Sequence, residues 1–220
     1  MKSVTAIIVA AGNSTRFGQN KNKNLFEINE KPIIAYSIEV FNKSSKIQDI
    51  ILVIKENERE YFENIVRNIK LNKPLKYVYG GSTRMESVYN ALKETSSDIV
   101  MMHDGARPRI KEEYIDRCLE QMDKFKGATV AVKAKDTIKI CDDNGVVIET
   151  TKRANTYLIQ TPQCFERETL LNLHEKFKGD EEITDDCMVL EKGGYKIKVV
   201  EGDYTNIKVT TFDDLHLVEE

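Results

Sequence analysis

Apolar positions fall into short runs separated by stretches of helical period. Residues 6–11 form an unbroken apolar run, which suits a strand covered on both faces in a parallel sheet. Residues 50–54, 75–79, 99–102 and 128–132 read as further strands. Between them, Ile33, Ile34, Ser37, Ile38 and Phe41 recur at helical spacing behind Pro32, which can open a helix at its first turn. Tyr61, Ile65 and Ile69 line one face of a charged helix over 56–69, Met85, Val88, Ala91 and Leu92 mark another, and 111–125 a third. This strand–helix rhythm predicts an α/β domain with a mostly parallel sheet.

Beyond residue 132 the period changes to two. Residues 135–150 alternate polar and apolar side chains around Asp142-Asp143-Asn144-Gly145, a strong hairpin turn. A two-stranded ribbon is barely stable alone in water, so a projecting β-arm over about 134–156 is expected to pack on a second subunit. Residues 157–160 resume strand pairing before Thr161-Pro162-Gln163, and 167–177 is an amphipathic helix. Thr184-Asp185-Asp186 reads as a cap, with Thr184 as capping residue, for a helix over 187–192 that Gly193 and Gly194 end. Residues 195–200 and 206–210 read as the last strands, with Asn206, Lys208 and Thr210 on one face, before a short acidic helix over 212–220.

Composition narrows the function classes. No Pro/Gly/Ser-rich linker divides the 220 residues, so a single domain over 1–220 is expected. The 36 acidic against 33 basic residues give a net charge of −3, which argues against a general nucleic-acid surface and leaves local basic pockets. The first apolar run is too brief for a signal peptide or a membrane span, so a cytoplasmic protein is expected. Cysteines at 118, 141, 164 and 187 are evenly spaced but share no surrounding pattern and form no C-x-x-C pair, which suits unpaired thiols in a reducing compartment.

The candidate chemistry collects where strands end. The first strand runs into Ala10, Ala11 and Gly12, whose minimal side chains let a ligand lie against backbone N–H groups, and Arg16, Lys21 and Lys23 follow. Such a loop suits a nucleoside triphosphate; the alternative is a solvated basic loop. There is no G-x-x-x-x-G-K-[ST] run, and Ser14 stands where a dinucleotide motif wants its second glycine, so redox chemistry is disfavoured. The strand over 75–79 ends in Gly80-Gly81-Ser82-Thr83-Arg84. Ser82 or Thr83 can cap the next helix, the glycines admit a flat ring, and Arg84 and Ser87 share a helix face. The strand over 99–102 ends in His103-Asp104-Gly105-Ala106-Arg107-Pro108. Asp104 suits ribose hydroxyls, a metal-bound phosphate or a substrate hydroxyl, and Arg107 a phosphate; the alternative is an ion pair bracing a turn, and His103 reads as structural. Lys208 is a solvated lysine or a phosphate ligand. In an open parallel sheet these ends face a common crevice, which points to nucleotidyl transfer onto a phosphorylated acceptor.

The ordered set Ala10-Ala11-Gly12 with Arg16 and Lys23, Gly80-Gly81 with Arg84 and Ser87, His103-Asp104-Gly105-Ala106-Arg107-Pro108, Asp136-Thr137, Thr161-Pro162-Gln163, Thr184-Asp185 and 206–210 resembles the 2-C-methyl-D-erythritol 4-phosphate cytidylyltransferases. The resemblance implies a Rossmann-like three-layer nucleotidyltransferase fold of the nucleotide-sugar transferase type and a homodimer that exchanges its β-arms. It implies CTP on Ala10, Ala11 and Gly12, cytosine near Gly81, Ser82 and Ser87, and Arg16, Lys23 and Lys208 acting on the phosphates as catalytic residues. Asp104, Arg107, Thr161, Thr184 and Lys208 would face the polyol phosphate acceptor, joined by Thr137 and Arg153 from the neighbouring arm. Mg2+ would be held mostly by the CTP phosphates, with no protein residue assigned as its ligand. This chain departs from the family's usual pattern at Ser82 and at Lys152, where Asp is common. The alternatives are a ribitol 5-phosphate cytidylyltransferase, whose members more often carry Ala-Gly-Gly after the first strand, and an idle nucleotide-binding domain.

Overall fold

The computed structural model describes residues 2–14, 17 and 22–219. Seven strands form the central sheet in the order β11 (Ile197–Glu201), β7 (Gly127–Lys133), β10 (Tyr157–Glu166), β6 (Ile99–Asp104), β1 (Val4–Val9), β4 (Asp49–Ile54) and β5 (Leu75–Tyr79). Within this sheet β10 alone runs against its neighbours, and the other strands are parallel.

Period-two alternation sorts the strand residues onto two cores. Ala6, Ile8, Ile50, Leu52 and Met101 point to the face covered by α1 (Ile33–Lys43), α2 (Arg59–Arg67) and α4 (Glu112–Leu119), where Ile34, Phe41, Phe62 and Tyr114 are buried. Ile7, Ile51, Val53, Val100 and Met102 point to the face covered by α3 (Arg84–Lys93), α5 (Arg167–Lys176) and α6 (Asp186–Lys192), where Val88, Leu170 and Leu190 are buried. This is the expected three-layer α/β architecture. A third cluster at the strands' carboxyl ends joins Phe17, Ile28 and Ile33 to Val209, Leu215 and Val218. Here the short ladder of β2 (Glu27–Ile28) and β3 (Lys31–Pro32) and the C-terminal α7 (His216–Glu219) dock, which brings the first loop and the chain's last segment together.

The arm is a separate ladder of β8 (Lys139–Cys141) and β9 (Val147–Thr150), exposed along its whole length. Its turn closes as expected, with the Gly145 N–H on the Asp142 carbonyl and Gly145 at φ +80.

Three expectations are corrected. Residues 206–210 are not a strand: Asn206 spends its amide on the Thr161 carbonyl and the Gln160 side chain, and Val209 gives one backbone bond to Ala106, so the segment crosses the strand ends without a ladder. The residue capping α6 is Asp185, whose carboxylate accepts from the Met188 N–H; Thr184 lies one residue too early. The pairing begun at Tyr157 continues through Pro162 to Glu166, with a register shift between Ile159 and Gln163 where Pro162 has no N–H to give.

Candidate functional site

β1, β5 and β6 all end at the same rim of the sheet, and a cavity of about 250 Å3 opens there. Its wall contains Ala11, Gly12, Lys23, Gly81, Ser82, Arg84, Ser87, Asp104 and Lys208. Three stretches that are distant in sequence are therefore neighbours, because parallel strands deliver their carboxyl ends to one side, and Lys208 joins them from the segment that crosses those ends.

The first loop is fixed by amides. Asn22 Nδ2 donates to the Ala10 carbonyl at 2.7 Å and to Glu58 at 2.7 Å, and the Asn22 carbonyl oxygen of the side chain receives Asn24 N–H. The Ala10 N–H goes to the Val53 carbonyl, so Ala10 has both backbone groups engaged and lies behind the cavity wall rather than in it. At Gly12 a Cβ would meet nothing within 4 Å, so protein packing does not exclude a side chain there; the small residue keeps the cavity mouth open. Lys23 opens a short 3-10 turn and its Nζ donates to the Val209 carbonyl at 2.6 Å. Arg16 and Lys21, expected on the phosphates, lie outside the described residues.

The glycine pair is a close approach. A Cβ on Gly80 would stand 2.6 Å from Ala11 Cβ, and one on Gly81 would stand 2.2 Å from Glu86 Cγ. Thr83 caps α3 through the Glu86 N–H, while the Glu86 carboxylate reaches back to the N–H and hydroxyl of Ser82, both at 2.8 Å. Ser87 accepts the Gly81 N–H at 3.0 Å and donates to the Thr83 carbonyl, so it pins the loop whose backbone faces the cavity.

Asp104 is the electrostatic centre. Lys208 Nζ stands 2.8 Å from its Oδ2 and Arg107 Nε 3.8 Å from the same oxygen. Burial alone would raise the Asp104 carboxyl, but Lys208, Arg84 and Arg107 outweigh it and hold it well below the usual carboxylate range. Arg107 is itself buried, with Nη1 on the Asn206 carbonyl at 2.8 Å and Nη2 on the Ile159 carbonyl at 3.4 Å, so it anchors the segment that carries Lys208. The Asp104 N–H donates to the Thr161 hydroxyl, which in turn meets His103 Nδ1 at 2.9 Å. His103 is buried, and that burial pushes its imidazole down to about 3, in keeping with a structural residue.

A second cavity of about 530 Å3 adjoins the first and shares Arg84, Asp104 and Lys208 with it; Arg107, Thr161, Gln163, Thr184 and Asp185 also line it. Thr137 and Arg153 line neither cavity and are exposed on the arm. Two neighbours of the site were not read as such in the sequence: Asp186 appeared only as part of a helix cap and His174 not at all, because Asp186 meets Arg84 across about a hundred residues and His174 meets Asp186 between two helices, and no spacing pattern records either contact.

An α/β sheet whose strand ends hold a cation-lined cavity without a dinucleotide motif, next to a second cavity that shares three charged residues, defines a nucleotidyltransferase. A family model described as 2-C-methyl-D-erythritol 4-phosphate cytidylyltransferase matches residues 4–220, and the chain belongs to that family. It is 42% identical over 225 residues to the protein of that name from Caldanaerobacter subterraneus subsp. tengcongensis, covering 99% of this chain and 97% of the relative. It is also 42% identical over 217 residues to the one from Bacillus cereus, covering 98% and 96%. Among solved structures, the 4-diphosphocytidyl-2C-methyl-D-erythritol synthase from Anaerococcus prevotii superposes with a TM-score of 0.88 at 34% identity, covering 99% of this chain and 97% of that one.

Proposed function

We propose that this protein transfers CMP from CTP to 2-C-methyl-D-erythritol 4-phosphate, releasing pyrophosphate, in isoprenoid biosynthesis. The observation that carries the reading is the pair of adjoining cavities with Arg84, Asp104 and Lys208 in their common wall, in a chain that matches the family from end to end. CTP occupies the smaller cavity, with its base against Gly81, Ser82 and Ser87 and its phosphates toward Gly12, Lys23 and Lys208; Arg16, outside the described residues, keeps its expected role on those phosphates. The acceptor occupies the larger, against Arg107, Thr161 and Thr184.

An ionised oxygen of the acceptor phosphate attacks the α-phosphorus of CTP; the new P–O bond forms as the bond to the β-phosphate oxygen breaks, and pyrophosphate leaves opposite. No protein nucleophile and little proton transfer are needed, so catalysis is alignment and charge stabilisation at the five-coordinate phosphorus. The residues fit a Mg2+ ion held chiefly by the substrate. Asp104 is an ionised carboxylate in the wall common to both cavities, a hard oxygen donor of the kind Mg2+ prefers beside a triphosphate. When bound, the ion would neutralise charge on the triphosphate.

The reading includes a homodimer. Ile140, Val146, Val147 and Ile148 on the arm are exposed apolar residues, more than a solvated ribbon needs. A second copy would cover them and bring Thr137 and Arg153 to the neighbouring acceptor cavity. A cytoplasmic setting is also part of the reading, supported by four free cysteines, of which Cys141 is exposed. No described helix is long and apolar enough to cross a membrane.

The test is pyrophosphate release by the purified protein with CTP and Mg2+, comparing 2-C-methyl-D-erythritol 4-phosphate with ribitol 5-phosphate. Release with the first acceptor is expected. Release only with the second would keep the chemistry and change the acceptor, and CTP binding without release from either would leave a nucleotide-binding domain.

A further inference from the structure

A buried hydrogen-bonded pair lies behind the wall that the two cavities share. Arg84, the first residue of α3, lines both cavities, and its Nη2 donates to Asp186 Oδ2 at 2.7 Å. His174 Nε2 meets the other oxygen, Oδ1, at 3.1 Å. Asp186 opens α6 and His174 sits in the last turn of α5, so three side chains tie together the three helices on this face of the sheet. The Asp186 and His174 side chains are each 1% exposed, whereas that of Arg84 is 33% exposed and reaches the cavities.

The chemistry of this trio is directional. An ionised carboxylate only accepts, so the imidazole is the donor and Nε2 carries the proton at this contact. His174 Nδ1 is buried and finds no partner among the described residues. A half-satisfied imidazole costs more to bury than the apolar residue that would otherwise fill this place in α5, so packing does not account for it, whereas orienting Asp186 does. Burial alone would raise the Asp186 carboxyl, but Arg84 and the His174 hydrogen bond bring it down to about 2, so it is an anion at neutral pH. Arg84 also has a competing anion in the same wall, Asp104, which Lys208 already holds at 2.8 Å.

We propose that Asp186, oriented by His174, is a positioning pair that holds Arg84 at the junction of the two cavities, so that its remaining guanidinium N–H groups face the phosphate being transferred. The proposal rests on the nucleotidyl-transfer reading. Neither Asp186 nor His174 touches a reactant; both act through Arg84, whose planar fork suits phosphate oxygens only when its orientation is fixed.

A double-mutant cycle tests this in the full-length enzyme. His174→Phe, Arg84→Ala and the double variant are compared by pyrophosphate release with each substrate varied in turn, and His174→Gln serves as the conservative replacement because it keeps an amide N–H for Asp186. The expected result is a kcat about tenfold lower for His174→Phe with the KM for CTP little changed, most of that loss recovered in His174→Gln, and a double variant no slower than Arg84→Ala. Where His174→Phe fails to fold, Asp186→Asn, which keeps the shape and removes the charge, takes its place in the cycle with the same expectation. Losses that simply add, or a Gln variant as slow as Phe, would overturn the proposal and make the pair a general prop of the fold. An inactive wild type would instead refute the transfer reading, so the two failures are distinguishable.

Discussion

Lys23 and Lys208 approach the smaller cavity, proposed above for CTP, from opposite ends of the chain, and the contact of Lys23 Nζ with the Val209 carbonyl couples the two segments. A charge at this place is worth most as negative charge develops on the leaving pyrophosphate. Lys23→Ala is therefore expected to fold normally and to lose two or more decades of turnover, ~3 kcal/mol of transition-state stabilisation. Near-normal kcat in the folded variant would remove Lys23 from that role. His103 makes a different kind of prediction. Burial holds its imidazole at about 3 against an ordinary 6.5, so between those values the unfolded chain binds a proton that the folded chain does not. Stability should then fall as pH drops from about 6.5 toward about 3, by up to about 1.4 kcal/mol per pH unit for one proton. Urea unfolding across this range should give a steeper decline for wild type than for His103→Gln, and equal slopes would assign the acid sensitivity elsewhere. The gathering of charge was legible at this scale where strands end: Asp104 and the loop that carries Lys23 reach one cavity, whereas Lys208 lies on no strand and its place beside Asp104 had no signal in apolar period. Arg107 was legible as a charged group beside Asp104, but its grip on the Asn206 and Ile159 carbonyls was not, because backbone acceptors carry no sequence signature. The meeting of His174 and Asp186 was invisible for the same reason that makes it interesting: it exists only after α3, α5 and α6 have packed.

Among elements, β5 and α3 meet the first loop at a distance that only glycine permits. Ala11 Cβ and Ser87 Oγ lie 2.6 and 2.8 Å from where a Gly80 side chain would begin, and neither is the far end of a flexible chain. Gly80→Ala should thus part the first loop from α3, at a cost of about 1–3 kcal/mol in overpacking. The expected signature is a lower Tm together with weaker CTP binding by titration calorimetry. A variant with normal affinity would mean that the two loops move independently. The strands of the central sheet and the helices on its two faces followed from apolar period, because both faces are buried and the pattern has no competing use. Residues 206–210 misled because alternation also arises where a segment lies on the protein and its side chains satisfy local partners in turn. Asn206 has a bonded amide and Val209 a buried side chain, yet no neighbouring strand runs beside them. Period distinguishes extended from helical backbone; it does not say whether a ladder partner exists.

The whole molecule raises the question of which chain completes which site. Thr137 and Arg153 line neither cavity of their own chain, and the arm that carries them displays Ile140, Val147 and Ile148 to solvent. If a second copy covers the arm, each acceptor cavity receives its arm residues from the other subunit. Mixing two inactive variants separates this arrangement from one in which the arm serves its own chain. Lys23→Ala disables the nucleotide cavity and keeps the arm, whereas Arg153→Ala keeps the cavity and disables the arm. In a mixed dimer with exchanged arms, the subunit with intact Lys23 receives an intact Arg153, and one of its two sites works. Random reassortment makes half of the dimers mixed, so about a quarter of wild-type activity should return. With arms serving their own chain, every site in the mixture keeps one lesion and nothing returns. Light scattering on each variant alone would establish that the dimer persists, and a mixture that stays inactive while dimeric would overturn the exchange and mean that each arm serves the cavity of its own chain.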